Sequence, residues 1–322
     1  MHNQERFLRA MQEAGYGERV HHNAPMAEYT SFAVGGPADL LMEASTLDEL
    51  VAWMTMARQA QVPAMVLGSG TNVLVSDLGI RGVVILNACR QYAISDDGLL
   101  RAESGCLFVE LAREAVRRGW AGLEWAVGIP GTLGGAVVGN AGAYGGYIGD
   151  LLVRARLLGP DGSIRTVCKS ELGYGYRTSM LKREPLTQPR TIVLDAELLL
   201  SRGDAALLAE RARQVTDQRR AHTPSGCCAG STFMRTDQYP AGFLIEQAGL
   251  KGYRLGGAQV SPHHANFIMN TGGATASEIA QLIALIQERV WQDFAQRLEP
   301  EVQFVGEWPA RESAADTPGR KG

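Results

Sequence analysis

The chain has 322 residues, with 31 Lys plus Arg against 34 Asp plus Glu and a formal net charge of −3. At about 100–200 residues per domain, this length predicts two or three domains that bury their cores without disulfide staples. A near-neutral balance excludes a general nucleic-acid coat and a membrane-surface role, both of which need a basic surplus; no nucleic acid, membrane or obligatory protein partner is expected.

Glycine is the outlier, with 38 residues, 11 of them between Gly119 and Gly149. That is about 12 % of the chain against a usual value of about 7 %. With 13 prolines and no G-X-Y period, collagen and low-complexity disorder are excluded. The five cysteines (Cys89, Cys106, Cys168, Cys227, Cys228) have irregular spacing. They form neither a disulfide framework nor a zinc pattern, which suits a reduced, cytoplasmic compartment. The histidines, including His21-His22 and His263-His264, lack metal-ligand spacing, so no metal is expected. Met-His-Asn-Gln-Glu-Arg at the start has no apolar stretch, and no signal peptide is expected.

Residues 1–28 read as a polar helix and a loop, an N-terminal helical extension. Thr46-Leu-Asp-Glu49 has capping-box spacing and opens a helix in which Leu47, Leu50, Val51 and Met54 repeat with helical period up to Pro63. Three β-rich runs follow: Ala64–Leu67, Val73–Val75 and Gly82–Leu86. Residues 107–118 read as an amphipathic helix. The next stretch, residues 125–149, carries no charge for 25 positions. Its nine glycines and Pro130 exclude a lipid-facing span, so its G-x-x-x-G spacings are decoys. Residues 151–200 read as strands and turns: Leu151–Leu158, a Gly159-Pro-Asp-Gly162 turn, Ile164–Val167 and Thr191–Leu200. Arg202–Asp204 reads as a linker into a charged helix over 205–220. A loop-rich centre, 222–273, precedes a helix opened by a second capping box, Thr275-Ala-Ser-Glu278, with Leu282, Ile286, Val290 and Phe294 as its buried stripe. Val302–Val305 is the last expected strand, and the polar tail 309–322 is expected to be disordered.

The loop Gly68-Ser69-Gly70-Thr71-Asn72 follows a strand. Its freed N–H groups suit a pyrophosphate, but no Gly-Lys-Ser/Thr or third glycine follows, so alone it reads equally as a tight turn. Gly128-Ile-Pro-Gly-Thr-Leu-Gly-Gly135 with Asn140-Ala-Gly-Ala-Tyr-Gly145 reads as backbone lying against a large flat ligand, because packing seldom demands such density. Tyr176-Arg177, Gly230-Ser231 and Glu301 say nothing singly. An isolated arginine is usually a solvated charge, a serine after glycine an ordinary turn, and a glutamate at a strand start is solvated.

Taken in order, these pieces resemble the UDP-N-acetylenolpyruvoylglucosamine reductase family over about residues 29–308. The resemblance rests on Thr30-Ser-Phe-Ala-Val-Gly-Gly-Pro-Ala38, Leu67–Leu74, Gly128–Gly145, Tyr176-Arg177, Gly230-Ser231, Leu244-Ile-Glu-Gln-Ala-Gly-Leu-Lys-Gly252, Gly256-Gly-Ala-Gln-Val260, His264-Ala-Asn-Phe267 and Glu301-Val302. It implies an α+β fold: a two-part FAD-binding module of the PCMH (vanillyl-alcohol-oxidase-like) type over 29–203, divided at about 90/91, then a smaller α+β substrate-binding domain over 204–308. It implies non-covalent FAD, NADPH as co-substrate, and reduction of UDP-N-acetylglucosamine enolpyruvate to UDP-N-acetylmuramate for peptidoglycan synthesis. Related oxidases that attach flavin covalently do so through a histidine beside the glycine loop, and none stands between residues 66 and 80.

The resemblance assigns residues as well. Leu67, Gly68, Ser69, Gly70, Thr71 and Asn72 are expected at FAD, as are Gly128, Ile129, Pro130, Gly131, Thr132 and Gly135, and Asn140, Ala141 and Gly142. Arg177 and Glu301 are expected to polarise the enolpyruvyl group and Ser231 to donate the final proton. Tyr176, Arg235, His264 and Asn266 are expected at the substrate. The short interval from Tyr176 to Arg219 and the sequence Phe233-Met-Arg235 match the shorter subtype, which lacks an inserted loop over the substrate.

Overall fold

The computed structural model describes residues 2–186 and 189–309; residues 310–322 of the expected tail lie outside the described residues. The first lobe contains α1 (His2–Glu13), β1 (His21–Pro25), β2 (Pro37–Ala44), α2 (Leu47–Gln59), β3 (Ala64–Leu67), β4 (Val73–Val75) and β5 (Ile80–Asn87). Four of these strands form a sheet in the order β1-β2-β5-β3. Both strands flanking β5 run parallel to it, and β1 closes the other edge antiparallel to β2. Although α1 reads as polar, Phe7 and Met11, four residues apart, are fully buried in one cluster with Leu50 and Trp53 of α2. Strand β1 stands where a loop was expected. His-His-Asn-Ala-Pro has little β propensity, and its strand form comes from pairing His21 with Leu41 through Pro25 with Pro37 on the edge of β2. The Thr46 hydroxyl caps α2 by accepting the Glu49 N–H at 3.2 Å. The expected box is not reciprocal, because the Glu49 carboxylate accepts the Ser45 N–H at 2.9 Å and pairs with Arg19.

The second lobe runs from β6 (Tyr92–Ile94) and β7 (Leu99–Glu103) through α3 (Phe108–Arg117), β8 (Trp120–Ala121), α4 (Leu133–Gly139), β9 (Gly142–Ala143), β10 (Gly146–Tyr147), α5 (Ile148–Leu151), β11 (Leu152–Leu158), β12 (Ile164–Cys168), β13 (Ile192–Leu199), β14 (Ser201–Arg202) and α6 (Ala205–His222). Five strands form an antiparallel sheet, β12-β11-β13-β7-β6. Alternation along these strands buries Leu100, Ala155, Leu157, Ala196 and Leu198 on one face. The other face carries an Arg101–Glu197–Arg154 ladder, with N–O distances of 3.1 and 2.7 Å. Leu208 of α6 packs into this lobe's core, with Ala212 and Val215 partly buried on it. The helix α4 lies inside the uncharged glycine stretch, which reads in the sequence as backbone lying against a flat ligand, with no helix expected. Thr132 caps it, its hydroxyl accepting the Gly135 N–H at 3.4 Å, and Asn140 ends it in the left-handed region at φ 45°.

The third unit comprises α7 (Ala241–Gln247), β15 (Arg254–Leu255), β16 (Ala258–Val260), β17 (Ile268–Asn270), α8 (Ala276–Phe294) and β18 (Gln303–Val305). The centre that reads as loops therefore holds a short helix and an antiparallel three-stranded meander; strands of two or three residues are too brief to show alternation. The Thr275–Glu278 box forms in both directions, at 3.1 and 3.0 Å. Leu282, Ile286 and Val290 are fully buried, whereas Phe294, expected beside them, is 36 % exposed in the last turn of α8.

The third unit is joined to the first by a shared core, in which Phe32, Val34 and Leu74 are buried with Leu244, Ile245 and Ile279, and by hydrogen bonds. Strand β18 pairs parallel with β4, and the Asp77 carboxylate accepts the Ala276 and Ser277 N–H groups of α8, each at 2.8 Å. Among the described residues, no helix is long and apolar enough to cross a membrane.

Candidate active site

The two glycine loops face one another. A Cβ on Gly68 would stand 2.5 Å from Thr132 Oγ1, and one on Gly131 would stand 3.0 Å from Thr71 Oγ1. Gly70 has φ +60°, and a Cβ there would meet Tyr29 O at 2.0 Å. Only glycine fits such a position. Beside the loops opens a cavity of about 270 Å³, lined by Gly68, Ser69 and Thr132 together with Ser31, Asn87 and Arg90. The Ser31 hydroxyl is buried without a hydrogen-bond partner. Glu28 and Glu43 also line the cavity, so it is the backbone cradle and the unpartnered Ser31 donor, not net charge, that suit a ligand of pyrophosphate type. Ser31, Asn87 and Arg90 were not singled out as site residues. Ser31 lies within the Thr30–Ala38 piece that carries the resemblance, so a signal for it existed; Asn87–Arg90 belongs to no motif.

The other glycines of the stretch divide. Gly128 is crossed by Arg219 of α6, whose Cδ would lie 2.6 Å from an added Cβ. Burial lowers the pKa of that guanidinium. Gly142 and Gly146 make room for protein side chains, the rings of Tyr147 and Trp125, each 2.3 Å from the missing Cβ. Asn140 was expected at the cofactor, yet its amide is engaged within the protein. Nδ2 donates to Gly175 O at 2.9 Å and Oδ1 accepts the Gly149 N–H at 3.1 Å.

Gly175 and Thr178 exchange two backbone hydrogen bonds of 3.1 and 3.3 Å, which leaves Tyr176 and Arg177 at the corner of a tight turn. Arg177 lies in the left-handed region, φ +55°. Its Nε is 3.2 Å from Glu301 Oε1, too poorly aligned for a hydrogen bond, so this buried nitrogen has no hydrogen-bond partner. Burial pushes the Glu301 carboxyl above its ordinary pKa, opposed by the nearby Arg177 and Lys182. Burial likewise lowers Lys182, which Glu301 partly offsets. Glu301 sits where it does because its N–H donates to Thr232 O at 2.8 Å and its carbonyl accepts Asn72 Nδ2 at 3.2 Å. The approach to β18 thus runs between the Ser231 loop and the Gly68–Asn72 loop.

The Ser231 loop is held by Asn266. Its Oδ1 accepts the Phe233 N–H at 3.0 Å, its Nδ2 donates to Phe233 O at 2.9 Å, and its carbonyl accepts the Thr232 N–H at 2.8 Å. Asn266, expected at the substrate, therefore shapes the loop through a side chain already engaged at both ends. His264 Nδ1 accepts the Asn266 N–H at 3.1 Å, and burial lowers the imidazole's pKa. Arg235 and Arg177 both lie over the Tyr176 ring, with Cζ 4.7 and 5.8 Å from its centroid. Tyr176, Arg177, Arg235 and Glu301 are thus brought together beside the Ser231 loop.

Known proteins resemble this chain in sequence and in fold. Residues 38–167 match the family described as an FAD binding domain. Residues 222–305 match the family described as the C-terminal domain of UDP-N-acetylenolpyruvoylglucosamine reductase. The UDP-N-acetylenolpyruvoylglucosamine reductase of Alkaliphilus oremlandii is 42 % identical over 288 residues, covering 88 % of this chain and 92 % of that protein. The reductase of Nostoc punctiforme is 44 % identical over 289 residues, covering 88 % and 86 %. The crystal structure of the reductase from Thermus caldophilus superposes with a TM-score of 0.75 at 35 % identity, covering 89 % of this chain and 99 % of that one. With both domain families in chain order and the likeness running nearly end to end, the chain belongs to the UDP-N-acetylenolpyruvoylglucosamine reductase family.

Proposed function

We propose that this chain is an FAD-containing, NADPH-dependent oxidoreductase that reduces the enolpyruvyl group of UDP-N-acetyl-3-O-(1-carboxyvinyl)-glucosamine to UDP-N-acetylmuramate, a cytoplasmic step in peptidoglycan precursor synthesis. The observation that carries this reading is the buried Arg177 Nε without a hydrogen-bond partner, paired with Glu301 where the glycine loops meet the Ser231 loop. FAD held there would supply hydride transfer from NADPH to the enolpyruvyl carbon.

The chain's own residues do the rest. The Gly68–Asn72 loop and Gly128–Thr132, with Ser31 and Arg90, hold the cofactor, their close approach leaving its pyrophosphate to backbone N–H groups. Hydride arrival leaves negative charge conjugated with the substrate carboxylate. Arg177 receives it with the forked donors of its guanidinium. Glu301 orients that guanidinium and balances its charge. Ser231 delivers the proton that completes the product; a neutral hydroxyl is a weak acid and serves only against a strongly basic carbanion. Arg235, stacked on Tyr176, takes the diphosphate, and His264 serves the substrate from the segment that holds the Ser231 loop.

Purified protein incubated with FAD is expected to show a flavin absorption band and to oxidise NADPH rapidly only when the enolpyruvyl nucleotide is present. A protein that takes up no FAD overturns the reading. Ser231→Ala is expected to leave flavin reduction by NADPH nearly intact while lowering turnover by at least about 100-fold; equal loss in both half-reactions would show that Ser231 is not the proton donor.

A further inference from the structure

Arg177, which carries the site's charge, has a strained backbone. A non-glycine residue at φ +55° persists only where its surroundings over-determine it. Three side chains around the turn do so. On one side, the fully buried Ser179 hydroxyl donates to Val138 O at 2.6 Å and accepts the Lys182 N–H at 3.1 Å. On the other, the Tyr174 phenol donates to Val137 O at 2.9 Å, and burial raises its pKa, so it remains a donor. From below, Asn140 Nδ2 donates to Gly175 O at 2.9 Å. All three bonds engage residues 137–140, where α4 ends and where a helix leaves its last carbonyls without intrahelical partners. The other end of this seven-residue helix begins beside Thr132, whose hydroxyl lies against Gly68. One short rigid element therefore spans from the glycine loops to the arginine turn.

We propose that Tyr174, Asn140 and Ser179 are positioning residues: together they clamp the Arg177 turn onto the end of α4 and act on substrate reduction only through Arg177. The proposal rests on the role of Arg177 given above. No bond in the clamp involves a group that flavin reduction by NADPH requires, so the two half-reactions separate it from a general loss of structure.

The test measures flavin reduction by NADPH and flavin reoxidation by the enolpyruvyl nucleotide separately, in the FAD-loaded enzyme. Ser179→Ala is expected to slow reoxidation by about 10- to 100-fold, the cost of a small misplacement of a catalytic group. FAD content and reduction rate should stay within about twofold of wild type, with kcat falling more than KM rises. Tyr174→Phe, which removes only a hydroxyl, should act in the same direction and carries the test if Ser179→Ala does not fold. Asn140→Gly keeps the left-handed backbone while removing the amide, and should also act in that direction. In an Arg177→Ala background, Ser179→Ala should add less than about twofold, because coupled residues are not additive. Unchanged reoxidation in Arg177→Ala alone would sink the role of Arg177 itself. The clamp alone is wrong under any of three outcomes: Arg177→Ala is crippled but Ser179→Ala and Tyr174→Phe reoxidise at the wild-type rate; the Ser179 and Arg177 losses multiply; or both half-reactions slow equally.

Discussion

Gly68 makes the closer of the two contacts across the glycine loops. Gly68→Ala places a methyl 2.5 Å from Thr132 Oγ1, and overpacking of this kind costs about 1–3 kcal/mol. The loops must separate, so the variant is expected to purify with less flavin per protein and a lower Tm; wild-type flavin content would show that the contact is slack. His264 has a pH signature. Burial holds its pKa below the ordinary 6.5, and its Nδ1 must stay unprotonated to accept the Asn266 N–H. The unfolded chain binds the proton more readily, so this contribution to stability is complete above pH 6.5 and is lost as pH falls from there through the lower folded value. Tm of wild type is therefore expected to drop more between pH 7 and pH 5 than Tm of His264→Gln, whose amide oxygen can accept the same bond without titrating. Parallel curves would contradict this.

Among the elements, those with a local cause were legible in the sequence. The Thr275–Glu278 box and the Leu282, Ile286, Val290 stripe are written in consecutive residues, and so are β3 and β4. Other elements owe their form to partners far along the chain. Strand β1 exists because β2 has a free edge. The meander β15-β16-β17 is too short to show a period. The helix α4 was hidden by its own glycines, which lower helix propensity by about 1 kcal/mol each relative to alanine. Asp77 illustrates the same limit for a cap. The Thr275 hydroxyl reaches the Glu278 N–H, but Asp77, 199 residues away, takes the first two N–H groups of α8. Asp77→Ala is expected to cost about 1 kcal/mol, a fall in Tm of about 1–2 °C in a protein of this size. A shift below the error of the scan would mean that water replaces the carboxylate freely.

In the whole molecule, the site is a meeting of three loops that stand far apart in the sequence. Each carries one weak signal: a glycine turn, an arginine after a tyrosine, a serine after a glycine. Only their order across the chain pointed to one chemistry. Their mutual placement was not legible, because it depends on Asn72 bonding Glu301 O at 3.2 Å and Gln303 N–H reaching Asn72 O at 3.0 Å, contacts that span more than two hundred residues. A fragment ending at residue 222 keeps α6, both glycine loops and the whole match to the FAD binding domain, yet lacks every one of these contacts. It is expected to bind FAD at least about tenfold more weakly than the full chain, as flavin titration would show; equal affinity would mean that β18 does not shape the loop. The pairing of β18 with β4 also bears on biosynthesis. Because the Gly68–Asn72 loop is braced by residues synthesised more than two hundred positions after it, the cofactor cradle takes its final form only once residue 303 has left the ribosome, and such long-range pairing is slow to form. Tight flavin loading thereby waits for β18, and a chain cut short before residue 303 carries the Gly68–Asn72 loop without its brace.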